Sequence, residues 1–496
     1  MEPRLLLRMA GFCAVLIVSG CASIIAPTNP GLTRIDPAKG YRGLNRLNNM
    51  GDASVYLSFS GGGTRAAALS YGVLQELAAT QVGEEGKRVR LLDEVDQISS
   101  VSGGSFTAAY YGLFGEQIFT DYEKDFLRQS VQGTLIKRLF NPAYWYKSVF
   151  SGFDRTEMAI EFYDKQVFKG RTFNEMRERP FITINASDIS QGTRFAFNQE
   201  FFDLICSDVG PVKVAQAVTA SSAVPVLFQS VVLKNHAGEC DTSRSSILPL
   251  LRQDKDHSLR EAALVDSLRS YLDADAKPYI HLVDGGIADN LGLRAMLERL
   301  QLLGMRSLDK TDLPRHIVVI LVDAAVSPRK SIDQTAEKPS VATTVGALAD
   351  VQISRYTAET RALIEEVLQQ LQEAERARGK DTQFHLVEVR FSSEKREKVN
   401  RYLNSLPTSL ELPNEEIDLL IAAGRSLLRE SPDFQAFLKA RDVRGKLVEP
   451  KSSRKDDSCK GEDPLSCILK KMNSEDRLWN RLDDKPEPAP APASAK

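Results

Sequence analysis

Short apolar runs alternate along the chain with segments whose apolar positions recur every three or four residues. Residues 55–59 predict a strand, and residues 64–80 predict a helix with Leu69, Val73 and Leu77 on one face. Val95–Val101 predicts a second strand that enters another helix after Ser102. Residues 181–185 and 194–198, joined by a polar turn, predict a strand pair. Tyr279–Val283 and residues 316–322 predict buried strands, each leading into an Asp, Asp284 and Asp323. Strands alternating with crossover helices imply a mostly parallel sheet. Residues 353–374 predict a strongly amphipathic helix (Ile353, Tyr356, Leu363, Val367, Leu371, Ala374) that stops by Gly379 and covers a sheet or bundle.

The polar segments set the organisation. Residues 1–20 form a leader and 21–50, rich in Pro, Asn, Gly and Arg, a tether. Residues 51–445 form the body, with a charged surface insertion at about 234–277 and a helical C-terminal part at about 345–445. Residues 446–496 form a polar tail whose Pro/Ala-rich end, 485–496, has too little apolar surface to fold and is expected to be disordered. No internal repeat is present.

Composition narrows the class. With 496 residues, 42% hydrophobic and 26% charged, the chain can bury a substantial core. Its 64 basic and 66 acidic residues nearly cancel, which argues against a nucleic-acid partner. Five scattered histidines give little material for a His-rich metal site, and no zinc spacing, calcium loop or cofactor fingerprint occurs, so no metal or cofactor is expected. Nothing in the sequence identifies a protein partner.

The leader has a basic start (Arg4, Arg8) and a short apolar run, GFCAVLIV, from Gly11, too short to span a bilayer as a helix. Val18-Ser19-Gly20-Cys21 follows and resembles a bacterial lipobox. The resemblance implies cleavage before Cys21 and acylation there; an ordinary secretory signal with a chance Cys is the alternative. Each buried methylene of an acyl chain adds about 0.8 kcal/mol of anchoring, so several chains hold firmly. Ala22, in place of an acidic residue, resembles signals that direct lipoproteins to the outer membrane, facing the periplasm. Without Cys13 and Cys21, four cysteines remain, and sequence proximity favours pairing Cys206 with Cys240 and Cys459 with Cys467, with free thiols the alternative for the second pair.

Three motifs carry candidate chemistry. Ser60-Gly61-Gly62-Gly63-Thr64-Arg65-Ala66 lies between a strand and a helix, where glycines turn tightly and leave N–H groups for phosphate or a developing oxyanion. It lacks the Gly-Lys-Ser/Thr ending of a phosphate loop and the spacing of a dinucleotide loop. By itself it is equally a plain turn. Ser100-Val101-Ser102-Gly103-Gly104 has small residues two before and two after Ser102, as a nucleophile elbow requires; a Ser/Gly turn is the alternative. Val283-Asp284-Gly285-Gly286 ends an apolar strand and puts a carboxylate, or merely a solvated turn residue, at the sheet edge.

In this order, with Ala220-Ser221-Ser222-Ala223-Val224-Pro225 as support, the motifs resemble those of patatin-like phospholipases from residue 55 to about 293. The chain departs from that family at Ala66 and Ser100, where glycine is usual. The resemblance implies a three-layer α/β/α fold and a serine lipid acyl hydrolase acting on membrane phospholipid or lysophospholipid esters. Ser102 would be the nucleophile, Asp284 the base of a Ser–Asp dyad, and Gly61, Gly62 and Gly63 the oxyanion donors. Arg65 would fix the loop or meet a phosphate. Alternatives are an esterase with a Ser-His-Asp triad and a catalytically silent lipid-binding lipoprotein. His281 precedes Asp284 on one strand, and alternation sends it to the opposite face. The aromatic run at 139–153, with Lys137 and Arg138 beside it, suits either a membrane interface or a core.

Overall fold

Long apolar stretches build a sheet buried on both faces. The computed structural model describes residues 27–43, 52–83, 88–130, 133, 154–225, 227–252, 258–303, 313–326, 332–334, 336–441 and 462–473. The strands of its main sheet are β1 (Ala53–Phe59), β2 (Val95–Val101), β3 (Phe181–Asp188), β4 (Thr193–Phe197), β5 (Val231–Lys234), β6 (Tyr279–Val283), β7 (His316–Asp323) and β8 (Gln383–Arg390). They form one sheet in the order β8-β7-β1-β2-β3-β6-β5, with β4 also paired to β3. The β8-β7-β1-β2-β3 run is parallel, whereas β4, β5 and β6 pair antiparallel.

Alternation along β1 and β7 separates two cores. Val55, Leu57, Phe59, Val318, Ile320 and Val322 face a large cluster on one side, while Val319 and Leu321, with Tyr56 packed against them, face a smaller one on the other. The first side is covered by α1 (Gly63–Ala79), α2 (Gly103–Phe114), α3 (Arg155–Gln166) and α4 (Val214–Ser221). Helix α5 (Leu259–Arg269) adds Val265 and Leu268 to the same cluster. The second side is covered by α6 (Arg294–Leu303) and α7 (Val341–Ala377), through Leu297, Ile364, Leu368 and Leu371. The result is a three-layer α/β/α fold. After β8 come α8 (Glu397–Ser405), α9 (Asn414–Arg429), α10 (Pro432–Ala440) and α11 (Pro464–Asn473). Helix α9 lies directly on α1: a Cβ on Gly72 would stand 2.1 Å from the Ile421 carbonyl oxygen, and one on Gly424 2.3 Å from that of Leu69.

Several elements differ from the sequence reading. Helix α7 starts at Val341, not at 353, and its first turns are exposed (Val341 82%, Leu348 65%), so no buried face reveals their periodicity. Strands β5 and β8 sit at the two edges and were not foreseen. The stretch 234–277 is not wholly on the surface: Leu248, Leu251 and Tyr271 join the core, and Lys277 Nζ lies 2.5 Å from the buried Asp188 carboxylate. Cys206 and Cys240 form a disulfide. Cys21, the run 139–153, Cys459 and the tail at 485–496 lie outside the described residues.

Candidate active site

Strand register brings the three motifs together. Val101 at the end of β2 pairs with Asn185 in the parallel β3, and Val283 at the end of β6 pairs with Ser187 in the antiparallel direction. The chain leaving β6 therefore runs back toward Asn185, where β2 ends. Gly285 passes so close that a Cβ there would stand 2.3 Å from the Asn185 carbonyl oxygen. The outcome is direct: Ser102 Oγ donates to Asp284 Oδ2 across 2.9 Å.

Ser102 occupies a sharp turn. Its φ of 49° and ψ of −121° place a non-glycine residue in a rarely populated region at the start of α2. Neighbours hold it there. The Ser102 N–H donates to Ser221 Oγ (2.8 Å), which itself donates to the Asn185 carbonyl (2.6 Å) and lies 3.0 Å from Ser105 Oγ. Glycine is required at position 103, since a Cβ there would meet the Gly63 carbonyl oxygen at 1.9 Å. Ser100 is accommodated because its hydroxyl donates to the Thr183 carbonyl at 3.1 Å. The hydroxymethyl group that departs from the family pattern thus becomes an interstrand bond.

Asp284 is clamped from the chain around Ser221. Its N–H donates to the Ala223 carbonyl and the Gly285 N–H to that of Ser221, while Gly286 N–H donates to Asp284 Oδ1 at 2.8 Å. Burial pushes the Asp284 carboxyl up to about 6, and the bonds from Gly286 and Ser102 only partly counter it. A base in this range holds its proton weakly enough to be ionised at neutral pH and strongly enough to accept one.

The glycine loop sits across from the serine. A Cβ on Gly61 would stand 3.3 Å from Ser102 Cβ and 2.5 Å from Asn290 Oδ1. Gly61 departs from its expected role, because its N–H donates to the Asn290 carbonyl at 3.0 Å and is not available to an oxyanion. Gly62 (φ 138°) and Gly63 (φ 61°) adopt conformations suited to glycine, and their N–H groups have no acceptor among the described residues. Two helix N-termini, of α1 and α2, add partial positive charge at the same place.

Arg65 is 2% exposed and holds the loop. Its Nε donates to the Ala324 carbonyl (2.9 Å), Nη1 to that of Leu406 (2.5 Å) and Nη2 to Thr408 Oγ1 (3.1 Å). Of the two roles open in the sequence, the geometry matches the loop-fixing one. No described histidine bonds to Ser102 or Asp284. His281 Nδ1 faces Ser230 Oγ at 3.2 Å, His236 pairs with Glu239, and His316 and His385 stack near Phe437 at the opposite end of the sheet; His257 is outside the described residues. Among the described residues no group of three or more His, Cys, Asp or Glu side chains could hold a metal ion, and no helix is long and apolar enough to cross a membrane.

Sequence reasoning missed Ser221, Asn185 and Asn290, and also Ser409, whose carbonyl accepts the Thr64 N–H at 2.8 Å. Ser221 lies in the Ala220–Pro225 stretch singled out beforehand, although nothing in that pattern assigns its hydroxyl to the Ser102 N–H. The others contribute backbone carbonyls, which any residue supplies.

Residues 57–297 match a family model described as Patatin-like phospholipase. No curated protein matches the chain. Among solved structures, human GIVD cytosolic phospholipase A2 is similar at 10% identity and a TM-score of 0.29, over 54% of this chain and 45% of that one. The chain thus spans less than half the length of that protein.

Proposed function

We propose that this chain, which carries a patatin-like phospholipase domain over residues 57–297, is a serine lipid acyl hydrolase that cleaves carboxylic esters of phospholipids or lysophospholipids with Ser102 and Asp284. The observation that carries the reading is the 2.9 Å hydrogen bond from Ser102 Oγ to Asp284 Oδ2. In the first half-reaction Ser102 Oγ attacks the ester carbonyl carbon as its proton passes to Asp284 Oδ2. The negative charge on the carbonyl oxygen is met by the N–H groups of Gly62 and Gly63; one such donor is worth about 3–4 kcal/mol in the transition state. Collapse breaks the ester C–O bond, and the leaving alcohol oxygen takes the proton from Asp284. Water then attacks the acyl-Ser102, giving its proton to Asp284, and the tetrahedral species expels Ser102 Oγ, which recovers that proton and frees the fatty acid.

In this reading the mature chain begins at Cys21, is lipid-anchored there, and faces the periplasm from the outer membrane. That placement would put a lipid-cleaving site beside its substrate. We take the hydrolase unit to run from residue 51 to about 445; the bonds of Leu406 to Arg65 and of Ser409 to Thr64 support including chain beyond residue 297.

The test is labelling with a fluorophosphonate ester, followed by mass spectrometry and a lipid-product assay. Ser102 is expected to carry the label, and Ser102→Ala and Asp284→Asn are each expected to abolish release of fatty acid while remaining folded. Loss of turnover in any single His→Ala variant would replace the dyad with a triad. A folded wild-type chain that neither labels nor turns over acyl esters would leave a lipid-binding protein.

A further inference from the structure

A cavity away from Ser102 lies between α6, the sheet and the side chains of Ile247, Leu250 and Leu268. It opens to solvent and is walled by residues of β2, β3, β4, α5 and α6. Most of its wall is apolar: Phe181, Phe201, Ile247, Leu250, Leu268 and Leu302 line it. Neither Ser102, Asp284 nor the glycine loop contributes.

Two arginines enter this wall, and they differ in one respect. Arg194 is saturated: Nε and Nη2 donate to Glu298 Oε2 at 2.9 and 2.5 Å, and Nη1 donates to Asn185 Oδ1 at 2.9 Å. Arg299 makes no hydrogen bond or ion pair with any described residue, and its Nη2 is shut away from solvent without a partner. Burial weakens its hold on the proton, and the nearby Tyr56 and Glu200 only partly offset that. Glu200 lines the same wall, and its Oε1 accepts the Gly43 N–H at 2.8 Å. A half-buried guanidinium with no hydrogen-bonded partner can still take one, and a guanidinium facing two anionic oxygens forms the strongest of the ordinary side-chain bonds.

We infer that this cavity is a binding site for an amphipathic anion, a carboxylate or phosphate borne on an apolar chain. Arg299 pairs with the anionic oxygens, and the chain lies along Phe181, Phe201 and Leu268. The head is fixed by the only cation of the wall that lacks a partner among the described residues. The body of the ligand is fixed by the apolar lining, which gives a small inorganic anion nothing to contact. The site stands apart from the hydrolase reading and does not depend on it.

The experiment is calorimetric titration of the full chain after fluorophosphonate treatment, which closes the ester site if Ser102 is the nucleophile and leaves the protein unaltered for the same titration if it is not. Decanoate, decyl phosphate and decanol are the probes. Saturable binding of decanoate or decyl phosphate is expected, at least about tenfold tighter than decanol, as a charged pair requires; the tighter of the two identifies the head group. Arg299→Gln is expected to weaken that binding by about tenfold or more, with fluorophosphonate labelling of unblocked protein unchanged. Ala295→Trp, which fills the cavity and keeps the charge, is expected to abolish it and serves alone if Arg299→Gln fails to fold. Decanol binding as tightly as the anions, no saturable binding of either anion, or anion affinity unaltered by the variants would overturn the proposal.

Discussion

Thr64 donates its backbone N–H to the carbonyl oxygen of Ser409 across 2.8 Å, joining the glycine loop to a segment far beyond the matched residues 57–297. The same segment receives Arg65 through the Leu406 carbonyl and the Thr408 hydroxyl. The loop proposed to hold the oxyanion is therefore set partly by its own glycines and partly by a strap from the C-terminal part of the chain.

This contact makes Gly63 the most sensitive position of the loop. A Cβ there would stand 2.3 Å from the Ser409 carbonyl oxygen, and the φ of +61° is itself unfavourable for alanine. Gly63→Ala must move either the strap or the loop. We expect turnover of a lipid ester to fall by about 100-fold, the size of losing one oxyanion donor, along with a lower melting temperature. Thr408→Val removes only one bond to Arg65, and its expected cost is about 1 kcal/mol. Steady-state kinetics and thermal melts of the two variants check this order.

Ser221 is a positioning residue whose removal separates geometry from chemistry. Its hydroxyl accepts from Ser102 N–H and donates to Asn185 O, so Ser221→Ala leaves two buried backbone groups unsatisfied. A stability loss of about 1–3 kcal/mol is expected for such a change. Because the strained turn at Ser102 then relaxes, kcat is expected to fall by about tenfold while KM holds, since no contact with substrate is lost. Ser221→Thr, which restores the hydroxyl, should recover part of the rate. Equal loss in both variants would assign Ser221 to packing alone.

Much of the fold was legible because its central strands are apolar on both faces. β7, with the sequence His-Ile-Val-Val-Ile-Leu-Val-Asp, can only be a buried strand. Ser102 was legible through the small residues that its turn demands. The remainder left no side-chain signature. β8 is an edge strand with mixed burial, and Gln, His, Glu and Arg interrupt its apolar positions. The strap acts largely through the carbonyls of Leu406 and Ser409, and Asn290 silences the Gly61 N–H through its own carbonyl. Charge misled at 234–277, where the polar majority hides Leu248, Leu251 and Tyr271.

The anchoring reading has its own test. If Cys21 carries the lipid, Cys21→Ser should leave an unprocessed precursor that incorporates no labelled palmitate, while wild type does so and partitions into the membrane fraction. Methylenes at about 0.8 kcal/mol each make the difference in partitioning large. Unchanged labelling of the variant would refute the tether and leave the proposed ester chemistry standing.

The last expectation links rate and stability through one carboxyl. In the proposed reaction Asp284 must be ionised to accept the proton of Ser102, and burial raises its pKa to about 6 from an ordinary 3.8. Turnover should therefore rise with pH through about 6 and level off above it. Stability runs the other way. Between the unfolded and folded values the native state holds the proton that the unfolded chain has released. The contribution of this group is thus fully present below about pH 4 and is lost as pH climbs through about 6. Asp284→Asn keeps an acceptor for Gly286 N–H and a group facing Ser102 Oγ without burying a charge. At pH 8 it should melt above wild type, by up to about 3 kcal/mol for a shift of this size, yet show no turnover. At pH 4 the two proteins should melt alike. Melting curves at both pH values, with a rate profile of the wild type between them, decide the matter. A flat rate profile across pH 5–7, or a variant destabilised at pH 8, would remove Asp284 from the role of buried base.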